Sequence, residues 1–193
     1  MTIFFTSDTH FFHRAIIGYC NRPAIDVDHM NKILIDNWNS KIGPNDEVYH
    51  LGDFAFSGIT KLVPILEQLN GRKHLIVGNH DYGNVKKDAF RSHFVWIKDY
   101  YMLRVHDLYQ NEEGIDQQYH QPIVLMHFPI LSWDHMAHGS WMLHGHCHGS
   151  LPPTRMMRLD VGVDTNNLMP YSYEDVKKIM LLRSVVPVDH HGT

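Results

Sequence analysis

The chain is poor in cysteine, which argues against two kinds of structural cross-link. Its 193 residues include two cysteines, Cys20 and Cys147, and these are far apart in the sequence. They form neither a disulfide framework nor the Cys-x-x-Cys pair of a structural zinc site. The sequence also lacks an apolar run of membrane-spanning length and the basic start of a signal peptide, so we expect a cytoplasmic protein with no membrane partner.

An excess of positive charge is missing as well. The chain has 17 Lys and Arg against 21 Asp and Glu, a net charge of −4 with His neutral. Non-specific binding to duplexes depends on many Lys and Arg contacts to phosphate, so we expect no extended nucleic-acid surface. The length suits one well-buried core, and we find no repeats or linkers. We predict a single domain over residues 1–193, with a core of about residues 1–165 and a C-terminal helix and tail over 166–193.

Histidine, by contrast, is abundant, with 17 in the chain. Five apolar stretches, at residues 3–5, 48–51, 75–77, 123–126 and 141–143, have the character of buried strands in a layered α/β domain. Each is followed by residues that bind metals. Ligands collect beyond the carboxyl ends of strands in such folds, so these residues should meet at one edge. In chain order they are Asp8 and His10, Asp53, Asn79 and His80, His127, and His146 and His148.

The residue types indicate which ions would bind. Imidazole, carboxylate and amide oxygen together suit manganese, iron, nickel, cobalt or zinc better than magnesium. The candidate ligands outnumber the four of a closed zinc site. Two ions fit better, and a carboxylate at the middle of the set, of which Asp53 is the first choice, would bridge them.

These positions resemble a known family. The blocks in question are Asp8-x-His10, Gly52-Asp53, Gly78-Asn79-His80-Asp81, His127 and Gly145-His146-x-His148. In order and approximate spacing they resemble the blocks of the calcineurin-like metallophosphoesterase superfamily, and they extend over most of the chain. The resemblance implies a layered β-sandwich of two mixed sheets flanked by helices.

The resemblance also implies a role for each position. Asp8, His10 and His148 would hold one metal, while Asn79, His127 and His146 would hold the other. Asp53 would bridge the two ions, which we expect to be divalent transition metals, manganese first. A hydroxide shared by the metals would attack phosphorus in line. His80 would act as the general acid, with Asp81 orienting its imidazole.

Departures from other branches of the superfamily narrow the expected substrate. Protein phosphatases and dinucleotide tetraphosphatases of this superfamily carry an Asp-Arg-Gly element after Gly-Asp, whereas here Asp53 is followed by Phe54. The segments 8–13 and 20–23 instead resemble a group of small bacterial and phage phosphoesterases. We expect a small phosphoester substrate, a phosphodiester of nucleotide or cyclic nucleotide type. A metal-dependent nuclease and a non-catalytic protein-binding scaffold are the alternatives.

Four residues are candidates for substrate binding. Arg14 and Arg22 each carry a guanidinium that could hold a phosphate in a bidentate manner, and a surface salt bridge is the alternative role. His135 and His138 lie between two ligand blocks, in a segment that we expect to rise over the metal site.

The connections predict helices and further strands. Apolar spacing predicts one helix around residues 30–38, capped by Asp26 or Asp28, and a second from about residue 60 to 69. Residues 94–97 and 101–105 have strand character, and the polar segment 109–121 between strands is predicted to be a hairpin tip or a loop. A short helix is expected at residues 174–182.

Overall fold

The computed structural model describes residues 1–110, 114–186 and 188. Two sheets contain the strands, numbered in chain order. The first sheet has the order β4-β3-β2-β1-β9, and the second has the order β5-β6-β7-β8. The strands are β1 Ile3–Thr6, β2 Glu47–His50, β3 Arg72–Ile76, β4 Ile97–Lys98, β5 Tyr100–Gln110, β6 Asp116–Met126, β7 Trp141–His144, β8 Arg158–Asp160 and β9 Tyr171–Ser172.

Helices cover the first sheet, and both sheets are mixed. Strands β1 to β4 are parallel and β9 is antiparallel to β1. In the second sheet, β5 and β6 are antiparallel, whereas β6, β7 and β8 are parallel. This confirms the predicted class of two mixed sheets flanked by helices. The helices are α1 Arg14–Tyr19, α2 Val27–Lys41, α3 Ile59–Gln68, α4 Asp88–Arg91 and α5 Tyr173–Met180.

The alternation of side chains along the strands explains why the first sheet packs against the second sheet on one face and against helices on the other. On β1, Phe5 packs with Leu125 and Leu143 of the second sheet, so that face forms the core between the sheets. Its neighbour Phe4 points the other way and packs with Leu34 of α2 and other helical residues. Successive side chains on a strand face opposite sides, so β1, β2 and β3 each contribute to both cores. The first sheet is therefore buried on both faces, as its near-continuous apolar runs predict.

The structure extends or corrects several sequence predictions. The polar segment 109–121, predicted to be a hairpin tip or a loop, belongs to a hairpin, and most of it is paired in the long antiparallel strands β5 and β6, in which His106 faces His120. Residues 111–113 of this segment lie outside the described residues. Residues 94–96 are not in a strand, and β4 covers only Ile97–Lys98. Helix α2 is capped by Asp26, whose side chain accepts from the His29 amide at 2.8 Å.

The C-terminal region contributes more than a helix and a tail. Strand β9 pairs with β1, so the predicted boundary at residue 165 divides the first sheet. The last part of the predicted tail, at residues 187 and 189–193, lies outside the described residues. None of the described helices is both long enough and apolar enough to cross a membrane.

Candidate metal centre

Strand ends from both sheets meet at one edge of the molecule. Asp8, Asp53 and Asn79 follow β1, β2 and β3, which are parallel neighbours. His127 and His146 follow β6 and β7, which are parallel neighbours in the second sheet. Backbone hydrogen bonds join these ends, for example from the Asp8 amide to the Gly52 carbonyl at 2.9 Å. The parallel order therefore brings together ligands that are distant in sequence.

Two glycines permit the close approach of the sheets. A Cβ atom on Gly145 would come within 1.9 Å of the Ser7 hydroxyl and 2.4 Å of an Asp8 carboxylate oxygen. A Cβ on Gly52 would come within 2.6 Å of the His127 ring, and the positive φ of +97° at Gly52 also favours glycine. A larger side chain at either position would push the strand ends apart.

The backbone is left-handed at five of the seven predicted ligands. Non-glycine residues with positive φ are uncommon and cost free energy, and they cluster at functional sites. Their φ angles are 57° at Asp8, 49° at His10, 56° at Asp53, 69° at His146 and 47° at His148. The paired strand ends stabilise this conformation, which turns each side chain towards the shared volume.

The predicted ligands lie in two groups. Donor atoms of Asp8, His10 and His148 all lie within 4.8 Å of one another, and those of Asp53, His127 and His146 form a second such group. The Asn79 side-chain oxygen lies 3.1 Å from ring nitrogens of both His127 and His146, which places it with the second group.

Asp53 lies between the two groups. Its Oδ2 atom is 3.5 Å from His10 Nε2 and 3.6 Å from His127 Nε2, so one oxygen faces a member of each group. Its Oδ1 atom accepts the His80 amide at 2.9 Å. The carboxylate is buried and fixed at the position that a bridging ligand would occupy.

The chemistry of these donors fits divalent ions. His10 Nε2 is buried and has no hydrogen-bond partner. Burial, followed by the nearby cationic groups, lowers the pKa of His10 to about 2, so its imidazole is in the neutral form that binds metals. Burial raises the pKa of Asp8 to about 8, so positive charge beside this carboxylate would favour its ionised form. A bound cation would supply that charge and would satisfy the His10 nitrogen.

His13, which was not among the predicted site residues, contacts His10. The two Nδ1 atoms lie 3.3 Å apart. One nitrogen must donate to the other, and donation from His10 Nδ1 leaves its Nε2 free as a ligand. Such supporting contacts fix the tautomer and orientation of metal-binding histidines.

Asp164 and Arg22 support the other ligands of the first group. His148 Nδ1 lies 2.7 Å from Asp164 Oδ2. Arg22 donates to both oxygens of Asp164 at 2.8 Å, and to the carbonyls of Asp8 at 2.7 Å and Thr9 at 2.8 Å. The Arg22 side chain is fully buried. This corrects the prediction that Arg22 binds substrate, because its guanidinium is committed to the protein.

We expect Asp164→Asn to weaken metal binding by roughly 10- to 100-fold, the usual effect of removing a carboxylate that supports a metal-binding histidine. The variant keeps a side-chain oxygen for Arg22 but loses the charge beside His148. Calorimetric titration of the metal-stripped protein measures the affinity. Asp134→Asn removes an exposed carboxylate on a distant loop and is the matched control. Equal metal affinities for Asp164→Asn and the wild type would contradict the supporting role.

Asp81 was predicted to orient the imidazole of His80, but its carboxylate contacts backbone amides instead. Its carboxylate is fully buried and accepts from the amides of Gly78, Asp53 and Phe54 at 2.8, 2.8 and 2.9 Å. Burial raises the pKa of Asp81 to about 7, although these amides oppose the shift. Asp81 therefore holds the turns after β2 and β3 together.

His80 is placed at the open side of the centre. Its side chain is 36% exposed, and Nε2 lies 3.9 Å from Asp53 Oδ2. It lines a cleft of about 610 Å³ together with five of the predicted ligands and six other residues. Those lining residues include His10, Asp53, Asn79, His146 and His148, with His13, Ile16, Tyr19, Cys20, Cys147 and Ser150 around them.

The other predicted substrate-binding residues do not line this cleft. Arg14 is exposed at the first residue of α1. His135 and His138 lie on the connection between β6 and β7, which must return to the amino end of β7 because those strands are parallel. Gln121, near the amino side of the β6 pairing with β7, donates to the Gly139 carbonyl at 3.2 Å. Trp133 and Met136 of this segment pack with Val124 and Met142 of the second sheet. The segment therefore lies along that sheet, and His135 and His138 do not line the cleft, contrary to the prediction.

Comparison with known proteins finds one archaeal relative and two phage relatives. The chain is 33% identical to the uncharacterized protein MJ1445 of Methanocaldococcus jannaschii, with 95% of this chain and 94% of the relative covered. It is 30% identical to the gene 66 protein of mycobacteriophage L5, covering 83% of this chain and 85% of the relative. The gene 66 protein of mycobacteriophage D29 is 31% identical, with 87% and 91% covered. No family model matches the chain.

The chain belongs to the family of these archaeal and phage proteins. Its fold is also seen in a crystal structure of a protein of unknown function from Aquifex aeolicus. That chain has a TM-score of 0.63 and 24% identity, and the match covers 92% of this chain and 98% of the other. At this identity the match shows the fold alone.

Proposed function

We propose that the chain is a phosphoesterase of the calcineurin-like metallophosphoesterase superfamily that uses two divalent transition-metal ions. One observation carries the proposal. Seven residues from five strand ends converge as two ligand groups with Asp53 between them. Coincidental clusters do not explain why five of these residues adopt left-handed backbone conformations.

The two groups of donors would hold different ions. Asp8, His10 and His148 would bind one, and Asn79, His127 and His146 the other, with Asp53 shared by both. Mixed imidazole, carboxylate and amide ligands suit manganese first, then iron, nickel, cobalt or zinc. When bound, the ions would neutralise the phosphoryl oxygens and lower the pKa of a water molecule.

His80 is the proposed general acid. A phosphoester in the cleft would be attacked by water, so that a new P–O bond forms while the P–O bond to the alcohol breaks. The departing oxygen needs a proton, and His80 faces the open cleft where it would donate that proton from a ring nitrogen. Its backbone contact with Asp53 fixes its position relative to the ligands.

The cleft favours diesters over monoesters. No Lys or Arg is among the residues that line it, in the part of the chain that the structure describes. A dianionic monoester would therefore find no cationic side chain, in addition to the metal ions, for its extra charged oxygen. One charge-assisted hydrogen bond contributes about 1.5 kcal/mol or more, so its absence should cost the monoester about tenfold.

We expect ethyl 4-nitrophenyl phosphate to be hydrolysed with at least roughly tenfold higher kcat/KM than 4-nitrophenyl phosphate. The two compounds share the leaving group, so the comparison isolates the extra charge. Release of nitrophenolate by the metal-loaded protein measures both rates, and the same assay with a chelator provides the blank. A higher kcat/KM for the monoester would remove the diester preference, and hydrolysis of both compounds at full rate in chelator would remove the metals from the proposal.

A further inference from the structure

Three aromatic rings lie beside one another at one side of the cleft, where His13 and Tyr19 line it and Phe56 stacks on His13. Phe56 and Tyr19 are large apolar side chains that are 54% and 77% exposed. Phe56 stacks on His13 with ring centroids 4.4 Å apart and planes 21° apart. His13 in turn meets Tyr19 edge to face at 6.4 Å. We call Tyr19, His13 and Phe56 the aromatic wall.

Backbone hydrogen bonds beyond the ends of β1 and β2 hold Phe56 of the aromatic wall in place. The Phe56 amide donates to the Phe11 carbonyl at 2.8 Å, and the Phe11 amide donates to the Phe54 carbonyl at 3.0 Å. Phe11 and Ala55 also form a parallel bridge beyond the ends of β1 and β2. The exposed rings are therefore presented by an ordered backbone, and a ligand that stacks on them loses less conformational entropy than it would on a free loop.

The aromatic wall adjoins the residue that we propose as the acid. The rings of Phe56 and His80 lie 5.5 Å apart at an interplanar angle of 68°. His13 and Tyr19 line the same cleft as His80. If His80 protonates the departing oxygen, the aromatic wall faces the leaving alcohol and not the part of the substrate that keeps the phosphate.

The cleft offers that alcohol flat rings and no cationic side chain. Its described lining residues include no Lys or Arg, so recognition outside the metal centre depends on stacking and polar contacts. The volume of about 610 Å³ is within the range of small-molecule sites, which leaves room for a nucleoside beside a phosphate. Nucleobases are the flat aromatic groups most commonly joined to phosphoesters, and they stack on aromatic side chains whatever their sequence.

We propose that the aromatic wall binds the nucleobase of the leaving group, so that the preferred substrate is a small phosphodiester whose departing alcohol is a nucleoside. This inference rests on the proposed phosphoesterase function. Stacking of one base on an aromatic side chain changes affinity by roughly 5- to 150-fold. A substrate with a base on its leaving alcohol should therefore be preferred by a factor in that range.

The test compares a dinucleoside monophosphate with an analogue in which the leaving nucleoside has no base. We expect the wild type to hydrolyse the base-bearing compound with kcat/KM at least roughly fivefold higher. The variant with Phe56→Ala and Tyr19→Leu should lose this ratio while it keeps its metal content. Phe56→Tyr, which retains a ring, should keep the ratio. Tyr82→Ala removes a ring that is 55% exposed outside the cleft and is the matched control.

The proposal that the aromatic wall binds the base would be contradicted by equal rates of the wild type on the two compounds. A base preference that remains in the double variant would also contradict it. A binding measurement separates this failure from failure of the proposed function. Calorimetry would compare a nucleoside monophosphate with ribose 5-phosphate on the wild type and the double variant. One outcome is that the base strengthens binding only in the wild type while no ester is hydrolysed. That outcome would support base binding by the aromatic wall and contradict the phosphoesterase proposal. If diesters are hydrolysed but the base strengthens neither binding nor turnover, base binding by the aromatic wall is contradicted and the phosphoesterase proposal is supported.

Discussion

Asp53→Asn is expected to lose at least one of two metal ions and to reduce diester hydrolysis by more than roughly 100-fold. Substitutions of residues that merely support ligands cost roughly 10- to 100-fold, and a carboxylate shared by two cations should cost more. The amide keeps the size of the side chain and retains an oxygen that can accept the His80 amide. The variant should therefore fold, and its defect should be one of charge.

Elemental analysis and kcat, measured on the same preparation, check this expectation. Asp36→Asn removes an exposed carboxylate on α2 and controls for the change of net charge. An unchanged melting temperature of the metal-stripped proteins would show that the loss is not due to unfolding. Two ions per chain with normal turnover in Asp53→Asn would mean that Asp53 is not the bridge.

His80→Asn is expected to slow the hydrolysis of an ester with an alkoxide leaving group by roughly 10²- to 10⁴-fold, the usual contribution of a positioned general acid. An ester of nitrophenol should be slowed far less, because nitrophenolate departs without a proton. The backbone amide that contacts Asp53 remains in the variant. Both metals should therefore remain as well.

The kcat values for a matched alkyl and nitrophenyl diester, together with metal content, test this assignment. His138→Asn changes an exposed histidine that does not line the cleft and is the control. An equal loss on both esters with loss of an ion would make His80 a metal ligand. An unchanged rate on both esters would remove it from the mechanism.

The positions of the seven predicted ligands could be inferred because their signals are local. Each follows an apolar stretch that is long enough for one buried strand, and parallel strands end at a common edge. Asp53 and His146 carry a further local signal, because each comes directly after a glycine that the close approach of the two sheets requires. The residue types alone predict that the ions are divalent transition metals.

The supporting contacts could not be inferred in the same way because they depend on the tertiary arrangement. Arg22 is buried only because its segment packs beneath the turn after β1, where Asp164 meets it. The position of His135 depends on the packing of its segment on the second sheet, where Trp133 and Met136 meet Val124 and Met142. Asp164 did carry a signal that was missed. It follows the buried run of residues 161–163 shortly after β8, much as the ligands follow the other strands.

The length of the paired strands in the polar hairpin was not predicted, for a related reason. Residues 106–108 and 117–120 are exposed or partly exposed, and they lack the regular alternation of apolar and polar residues that predicts a half-buried strand. Their strand structure comes from the continuous pairing of β5 and β6, which is a cross-strand property. Periodicity along one segment does not report such pairing.

Titration of the metal-stripped protein with manganese, with bound metal and diester hydrolysis followed on the same samples, is the most direct test of the dinuclear centre. Hydrolysis should be absent in the stripped protein, should rise as the ions bind and should reach its maximum at two ions per chain. Nickel or cobalt should also restore activity, and magnesium should restore it less well. Full hydrolysis without bound metal, or a maximum at one ion per chain, would contradict the dinuclear phosphoesterase.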